Sequence, residues 1–250
     1  MSGVHARIAC LLREAWERGD VIRITWVNHY SAQVLLDREP TLLREFDLVG
    51  IDGVLLQGLL RTPYARLPGG GDATLPLLLP SLQGARVALV GGLAQETDAR
   101  RRAVARLLGP MSLIVTSTDG YEGRPAADEL PGWLERHSPD VVIVGMGAGL
   151  QDAFALEVGR LLNRGVVATC GGWMDQIAGI GAYYPHWAYR ARLTWAVRLL
   201  REPHRLWRRY SVDAVTAVRR RSALTTWISS SPGYGRYCDA ARGGVIRSSR

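Results

Sequence analysis

The chain has 250 residues, 47% of them hydrophobic, which suits the core of one large α/β domain or a domain with an appendage and argues against wholesale disorder. Its net charge of +8 is unevenly placed: residues 1–181 hold 17 arginines and 20 acids, residues 182–250 hold 14 arginines and three acids, and lysine is absent. Cys10, Cys170 and Cys238 lie too far apart for a zinc motif or a disulfide framework, no apolar run reaches the roughly 18 residues of a membrane span, and the N-terminal apolar run is too short for a signal peptide, so a protein of the cytoplasm is expected.

Taken in chain order, short β-rich runs alternate with helical patterns. "VIRITWV" (21–27) reads as a strand, and "FDLVGIDGVLL" (46–56) holds another that ends near Asp52. "ARVALVGG" (85–92) is a strand closed by a glycine pair, and "AQETDARRRAVARLLG" (94–109) has helical spacing and a glycine stop. "MSLIVTS" (111–117) is a strand and "ADELPGWLERH" (127–137) a helix. "PDVVIVGMGAG" (139–149) is a strand running into a turn, "LQDAFALEVGRLLNRG" (150–165) an amphipathic helix, and "VVATCGG" (166–172) the next strand. Such alternation predicts a Rossmann-like, mostly parallel sheet flanked by helices. Ligands of such sheets sit at the carboxyl ends of the strands, where Asp52, Gly91, Gly92, Gly145, Gly147, Gly149, Gly171 and Gly172 fall. "RTPYARLPGGGDATLP" (61–76) reads as a long Pro/Gly-rich loop. The composition changes after Gly181. The expected division is therefore an α/β body over 1–181, a basic helical appendage over 182–228 and a flexible tail over 229–250.

Two segments invite chemistry. "VGMGAGLQ" (144–151) approaches a dinucleotide fingerprint but has Leu150 where the third small residue belongs, and the following strand ends in "TCGG" without an acid. Its glycines serve either a tight turn or, with the turn at 91–92, the diphosphate of a sugar nucleotide held on backbone N–H groups. Asp52 is either the first half of an Asp-Gly turn or a general base at a strand end. There is no nucleophile elbow, no Walker loop and no Asp-x-Asp metal triplet, so no metal and no cofactor are expected.

The segment "HWAYRARLTWAVRLLREPHRLWRRY" (186–210) carries seven arginines and three tryptophans. Arg198, Arg201, Arg205 and Arg208 share a face of one helix if it runs through Pro203, with Trp195, Leu199 and Leu206 on a neighbouring face. An Arg/Trp amphipathic segment suits an anionic lipid interface. A nucleic-acid-binding module is the alternative from charge, weakened by the acidic body and by the lack of a nucleic-acid motif. A solvated basic helix is the third reading.

Together, "SPDVVIVGMGAGLQDAF", "TCGGWMDQIAG" and "LTWAVRLLREPHRLWRRY" resemble the WecG/TagA/CpsF family of bacterial glycosyltransferases over roughly residues 20–213. Leu193, Trp195, Arg198, Leu199, Glu202, Pro203, Arg205, Arg209 and Tyr210 fall in step with that family's closing motif. "TWVNHYS" resembles its Thr/Asn strand end, "FDLVGIDGVLL" its aspartate-glycine segment, and Asp175 fits its G-x-x-x-D-x-x-A-G turn. The resemblance implies an inverting transfer of a sugar from a nucleotide donor, usually UDP-linked, to a polyprenyl-diphosphate-linked acceptor. The setting is surface-polysaccharide, capsule or exopolysaccharide synthesis at the inner face of the cytoplasmic membrane. Asp52 becomes the preferred catalytic base. Thr25, Asn28, Arg66, Asp72, Gly91, Gly92, Gly147, Gln151, Asp175, Arg198 and Arg205 become substrate-binding candidates, and Trp195, Arg201, Trp207 and Arg208 membrane contacts. Nucleic acid is not an expected partner, and homo-oligomerisation stays open. The chain departs from the family pattern at "RLPGGGD", which leaves Arg66 and Asp72 loosely matched, and at Asp152, Tyr183-Tyr184-Pro185 and Thr194. A catalytically inactive sugar-nucleotide-binding protein is the remaining alternative.

Overall fold

The computed structural model describes residues 3–61, 70–179, 188, 191 and 193–243, apart from the side chains of residues 194 and 205. Among the described residues, six strands form one wholly parallel sheet: β1 (Val21–Val27), β2 (Leu48–Ile51), β3 (Arg86–Gly91), β4 (Leu113–Thr118), β5 (Val141–Gly145) and β6 (Gly165–Thr169), in the order β2-β1-β6-β5-β3-β4. The register is continuous across the centre, with Ile24 beside Ala168, Ile143 beside Ala168, and Leu89 beside Ile143. Strands β2, β5 and β6 are buried at every residue because helices cover both faces. This is the Rossmann-like arrangement that the alternating runs predict.

One face is covered by α1 (Gly3–Arg18), α4 (Gly71–Leu78), α5 (Thr97–Ala105) and α8 (Trp173–Ala178), around Ile8, Leu12, Leu75, Leu78, Val104 and Met174. The other carries α2 (His29–Arg38), α3 (Val54–Leu60), α6 (Leu130–His137) and α7 (Leu150–Leu161), around Leu35, Leu56, Leu134, Phe154 and Val158. Helices α1, α2 and α3 lie outside the elements expected from the sequence. The expected loop over 61–76 ends earlier, because Gly71–Leu78 is helical although Pro76 lies within it.

The C-terminal quarter holds α9 (Thr194–Arg201), α10 (Pro203–Tyr210), α11 (Val212–Arg219), α12 (Arg221–Ser229) and α13 (Pro232–Arg242). The helix does not run through Pro203, so the condition for one shared arginine face is not met. Proline has no N–H to donate, so α9 stops, and Pro203 starts α10 where the missing donor costs nothing. The expected flexible tail is also corrected over its described part. Helix α13 buries Tyr237, Ala240 and Ala241 beside β2 and α1. Gly233 lets it approach so closely that a Cβ there would lie 2.5 Å from the Phe46 carbonyl oxygen. Arg7 donates to the Ala241 carbonyl at 2.9 Å, and Arg236 to that of Asp47 at 2.7 Å. Helices α11 and α12 are tied down as well. Gln33 donates to the Asp213 carbonyl at 2.9 Å, Arg220 to Asp37 at 2.8 Å, and Trp227 to the Pro40 carbonyl at 2.8 Å.

Candidate active site

The carboxyl ends of the strands form a crevice with two chemically different halves. The first lies over β1 and β2. The Asp52 amide donates to the Val27 carbonyl at 2.8 Å, which fixes the side chain at the end of β2. Gly70 then brings the start of α4 against it. A Cβ at Gly70 would stand 3.0 Å from Asp52 Cβ and 3.2 Å from Trp26 Cδ1, so a larger residue would push α4 away. Asp72 Oδ1 accepts from the Gly70 amide at 2.7 Å, holding a second carboxylate in the same place.

Both aspartates keep some solvent access, yet protein surrounds their carboxyl groups. Burial, then the neighbouring Asp72 charge, pushes Asp52 up to about 6, while Arg209, Arg198 and the Gly53 N–H pull the other way. Asp72 is raised too, mainly by burial and against the Gly70 and Ala73 amides and Arg198. Arg198 comes from α9 and also reaches the glycine turn after β6, where its Nη2 lies 3.2 Å from the place a Gly172 Cβ would occupy. Arg209 comes from α10 and lies over the Tyr30 ring, 4.9 Å from its centroid. Burial, with Arg198 beside it, lowers the Arg209 pKa. The Arg209 carbonyl lies 2.9 Å from His29 Nε2, and the Tyr210 ring stands between His29 (5.9 Å) and Trp195 (6.0 Å).

The second half lies over β3, β5 and β6 and is made of backbone. Gly91 has φ 151, and a Cβ there would meet the Gly145 carbonyl oxygen at 2.2 Å. The Gly92 amide donates to that oxygen at 3.0 Å. Gln151 opens α7 and is 5% exposed; its Oε1 accepts from the Gly171 amide at 3.2 Å. Arg100, 1% exposed, donates to Asp175 at 3.1 Å, to the Leu93 carbonyl at 2.6 Å and to Thr97 at 3.0 Å, which locks α5 to α8 beneath the Gly92 turn.

Of the expected site residues, the fold gathers Asp52, Asp72 and Arg198 in the first half, and Gly91, Gly92, Gly147, Gln151 and Asp175 around the second. Two sit differently from expectation. Thr25 is fully buried: its hydroxyl donates to Asp152 at 2.8 Å and lies 2.8 Å from that of Thr169, so it braces the crevice floor from within. Asn28 Oδ1 caps α2 by accepting from the Tyr30 and Ser31 amides, both at 3.0 Å. Arg66 and the Arg205 side chain lie outside the described residues. Trp195, Trp207, Arg201 and Arg208 are exposed.

Sequence reasoning passed over Arg209, Tyr210 and His29 as site residues, and Arg100 altogether. Arg100 lay hidden in the run Arg100-Arg101-Arg102, which looks like a solvated face. The available signal was its spacing of three and four to Ala103 and Val104, the buried side of α5. Among the described residues no group of three or more His, Cys, Asp or Glu side chains could hold a metal ion.

The family model described as Glycosyl transferase WecG/TagA/CpsF family matches residues 5–230. The chain is 31% identical over 196 residues to the UDP-Gal:alpha-D-GlcNAc-diphosphoundecaprenol beta-1,4-galactosyltransferase of Shigella boydii, covering 76% of this chain and 81% of that protein. It is 28% identical over 162 residues to the N-acetylglucosaminyldiphosphoundecaprenol N-acetyl-beta-D-mannosaminyltransferase of Bacillus spizizenii, covering 64% of this chain and 61% of that one.

Proposed function

The chain belongs to the WecG/TagA/CpsF family of glycosyltransferases, and from that premise we propose that it moves a hexose from a UDP-linked donor to a polyprenyl-diphosphate-linked saccharide, with inversion, during surface or exopolysaccharide synthesis. The observation that carries this reading is the meeting of Asp52 with Arg198 and Arg209 at one end of the crevice. Asp52 takes the proton of the acceptor hydroxyl. That oxygen bonds to the sugar's anomeric carbon as the bond from this carbon to the phosphate oxygen breaks, and the electron pair leaves with the nucleoside diphosphate. Arg198 and Arg209 receive the growing charge, and the glycine turns after β3 and β5 leave room for the diphosphate to lie against the strand ends. Both relatives are named for β-linked products, as a single displacement on an α-linked donor gives.

The acceptor assignment takes support from the diphosphoundecaprenol acceptors in the two relatives' names. No helix among the described residues is long and apolar enough to cross a membrane. A peripheral position on an anionic leaflet, with Trp195, Arg201, Trp207 and Arg208 facing the lipid, accounts for the exposure of Trp207 (58%) and Leu200 (82%) between arginines. Incubating the purified protein with a panel of UDP-sugars and an undecaprenyl-diphosphate-GlcNAc analogue tests the reading. One UDP-sugar should yield a β-linked disaccharide-lipid and release UDP. Oligonucleotides, but no nucleotide sugar, raising the melting temperature would sink it.

A further inference from the structure

We propose that Asp72 is the positioning partner of Asp52, a second carboxylate held beside the base by the Gly70–Gly71 turn so that its charge bears on the base. The usefulness of such a pair rests on the reading of Asp52 as the base; its existence does not. Three observations carry it. Gly70 and Gly71 pack so tightly on Asp52 and Trp26 that the start of α4 has little freedom to move: a Cβ at Gly71 would lie 3.1 Å from Trp26 Cε3. Asp72 Oδ1 is fixed by the Gly70 amide at 2.7 Å. Below the turn, Thr74 Oγ1 lies 3.1 Å from His5 Nδ1 in a buried contact that anchors α4 to α1.

The charges around the pair come from several elements. Arg198 of α9 faces both carboxylates, Arg209 and Tyr210 of α10 face Asp52, and His29 of α2 and Tyr237 of α13 stand within its electrostatic reach. Burial raises Asp52 and the two arginines pull it back down, which weakens it as a base. A second carboxylate offsets them, and protons then leave the pair in two linked steps. Asp52 thereby keeps an affinity for protons close to that useful at neutral pH.

The test uses the full chain with ¹³C-labelled aspartate carboxyls, as wild type, D72N, D72S, D72E and D52N. Asn and Ser keep an acceptor for the Gly70 amide and remove the charge. In wild type the Asp52 and Asp72 signals should move together in two linked steps. In D72N and D72S the Asp52 signal should titrate once, displaced from about 6 toward the ordinary aspartate value, because no like charge then holds its proton. The acid limb of kcat/KM should move the same way, and D72E should restore it. An Asp52 titration unchanged in D72N overturns the proposal, as does activity lost equally at every pH with an unmoved limb, the mark of a helix cap only. If the titration moves as expected while D52N still transfers sugar, the pair stands and the base assignment falls.

Discussion

The two halves of the crevice obey different rules. Over β1 and β2 the protein holds ionisable groups in places that disfavour their charges: Asp52 and Asp72 are raised by burial, and Arg209 is lowered by it. Over β3, β5 and β6 it holds glycines and satisfied polar atoms: Gly92 on Gly145, Gln151 on Gly171, Arg100 on Asp175. The first half stores electrostatic tension that a reaction can use. The second contributes shape. Substitution in the first should therefore change chemistry and leave the fold alone, whereas substitution in the second should disturb the fold and through it binding.

The sharpest way to break this contrast is Asp52→Asn. Losing a positioned base costs about 10²–10⁴ in rate, so kcat should fall by that factor with donor affinity kept. Stability should move the other way. The folded-state pKa of Asp52 is raised, so the folded chain binds that proton more tightly than the unfolded one, and ionising it costs stability as pH rises toward about 6 and stays lost above. The amide escapes that cost, so D52N should melt higher than wild type at pH 7.5 and equally at pH 4. A lower melting temperature at pH 7.5 would place Asp52 among the groups that hold the fold.

Gly91→Ala is the matching change in the other half. Its φ of 151 suits glycine alone, and the new methyl would lie 2.2 Å from the Gly145 carbonyl oxygen. Overpacking of this kind costs about 1–3 kcal/mol. Denaturant titration should show that loss, and donor KM should rise because β3 and β5 can no longer close together. Unaltered stability would mean that the strand ends separate freely.

What could be read beforehand follows the same division. The sheet was legible because its strands are continuous apolar runs ended by glycine, as in "VVIVG" at 141–145. The site was half legible. Asp52 and the glycines stand at strand ends, where topology alone places them. Arg209 was harder, because choosing among Arg205, Arg208 and Arg209 needs the break at Pro203 and the rotation it gives α10. Thr25 was named through the family resemblance, and only packing shows its hydroxyl engaged with Asp152 and Thr169. Helix α13 was missed for a related reason. Gly, Ser and Arg in "SSPGYGRYCDAARGG" look flexible, but small residues are what permit the close contact with β2.

Gln151→Ala should have a smaller effect. It strips the Gly171 amide of its acceptor, and a hydrogen bond of this kind is worth about 0.5–1.5 kcal/mol. The turn it steadies faces Arg198, so donor KM should rise a few-fold with kcat nearly kept. A fall in melting temperature with unchanged kinetics would make the residue a brace only.

The smallest effects should come from the outward face of α9 and α10, where single substitutions are the right tool. Truncation at residue 186 would remove α13, whose Tyr237, Ala240 and Ala241 belong to the core, and the body would lose its packing along with its basic surface. Arg208 and Trp207 are both exposed and adjacent. A basic residue near an anionic leaflet contributes about 1 kcal/mol by a force that salt screens. An interfacial tryptophan contributes by burying its ring, which salt does not screen. Arg208→Ala should therefore weaken binding to anionic vesicles several-fold in dilute buffer and hardly at all in concentrated salt. Trp207→Ala should weaken it equally in both. Turnover of a short, water-soluble acceptor should be unchanged in either variant, because neither side chain faces Asp52. Vesicle affinity equal to wild type in both variants at both salt concentrations would mean that this face meets something other than lipid.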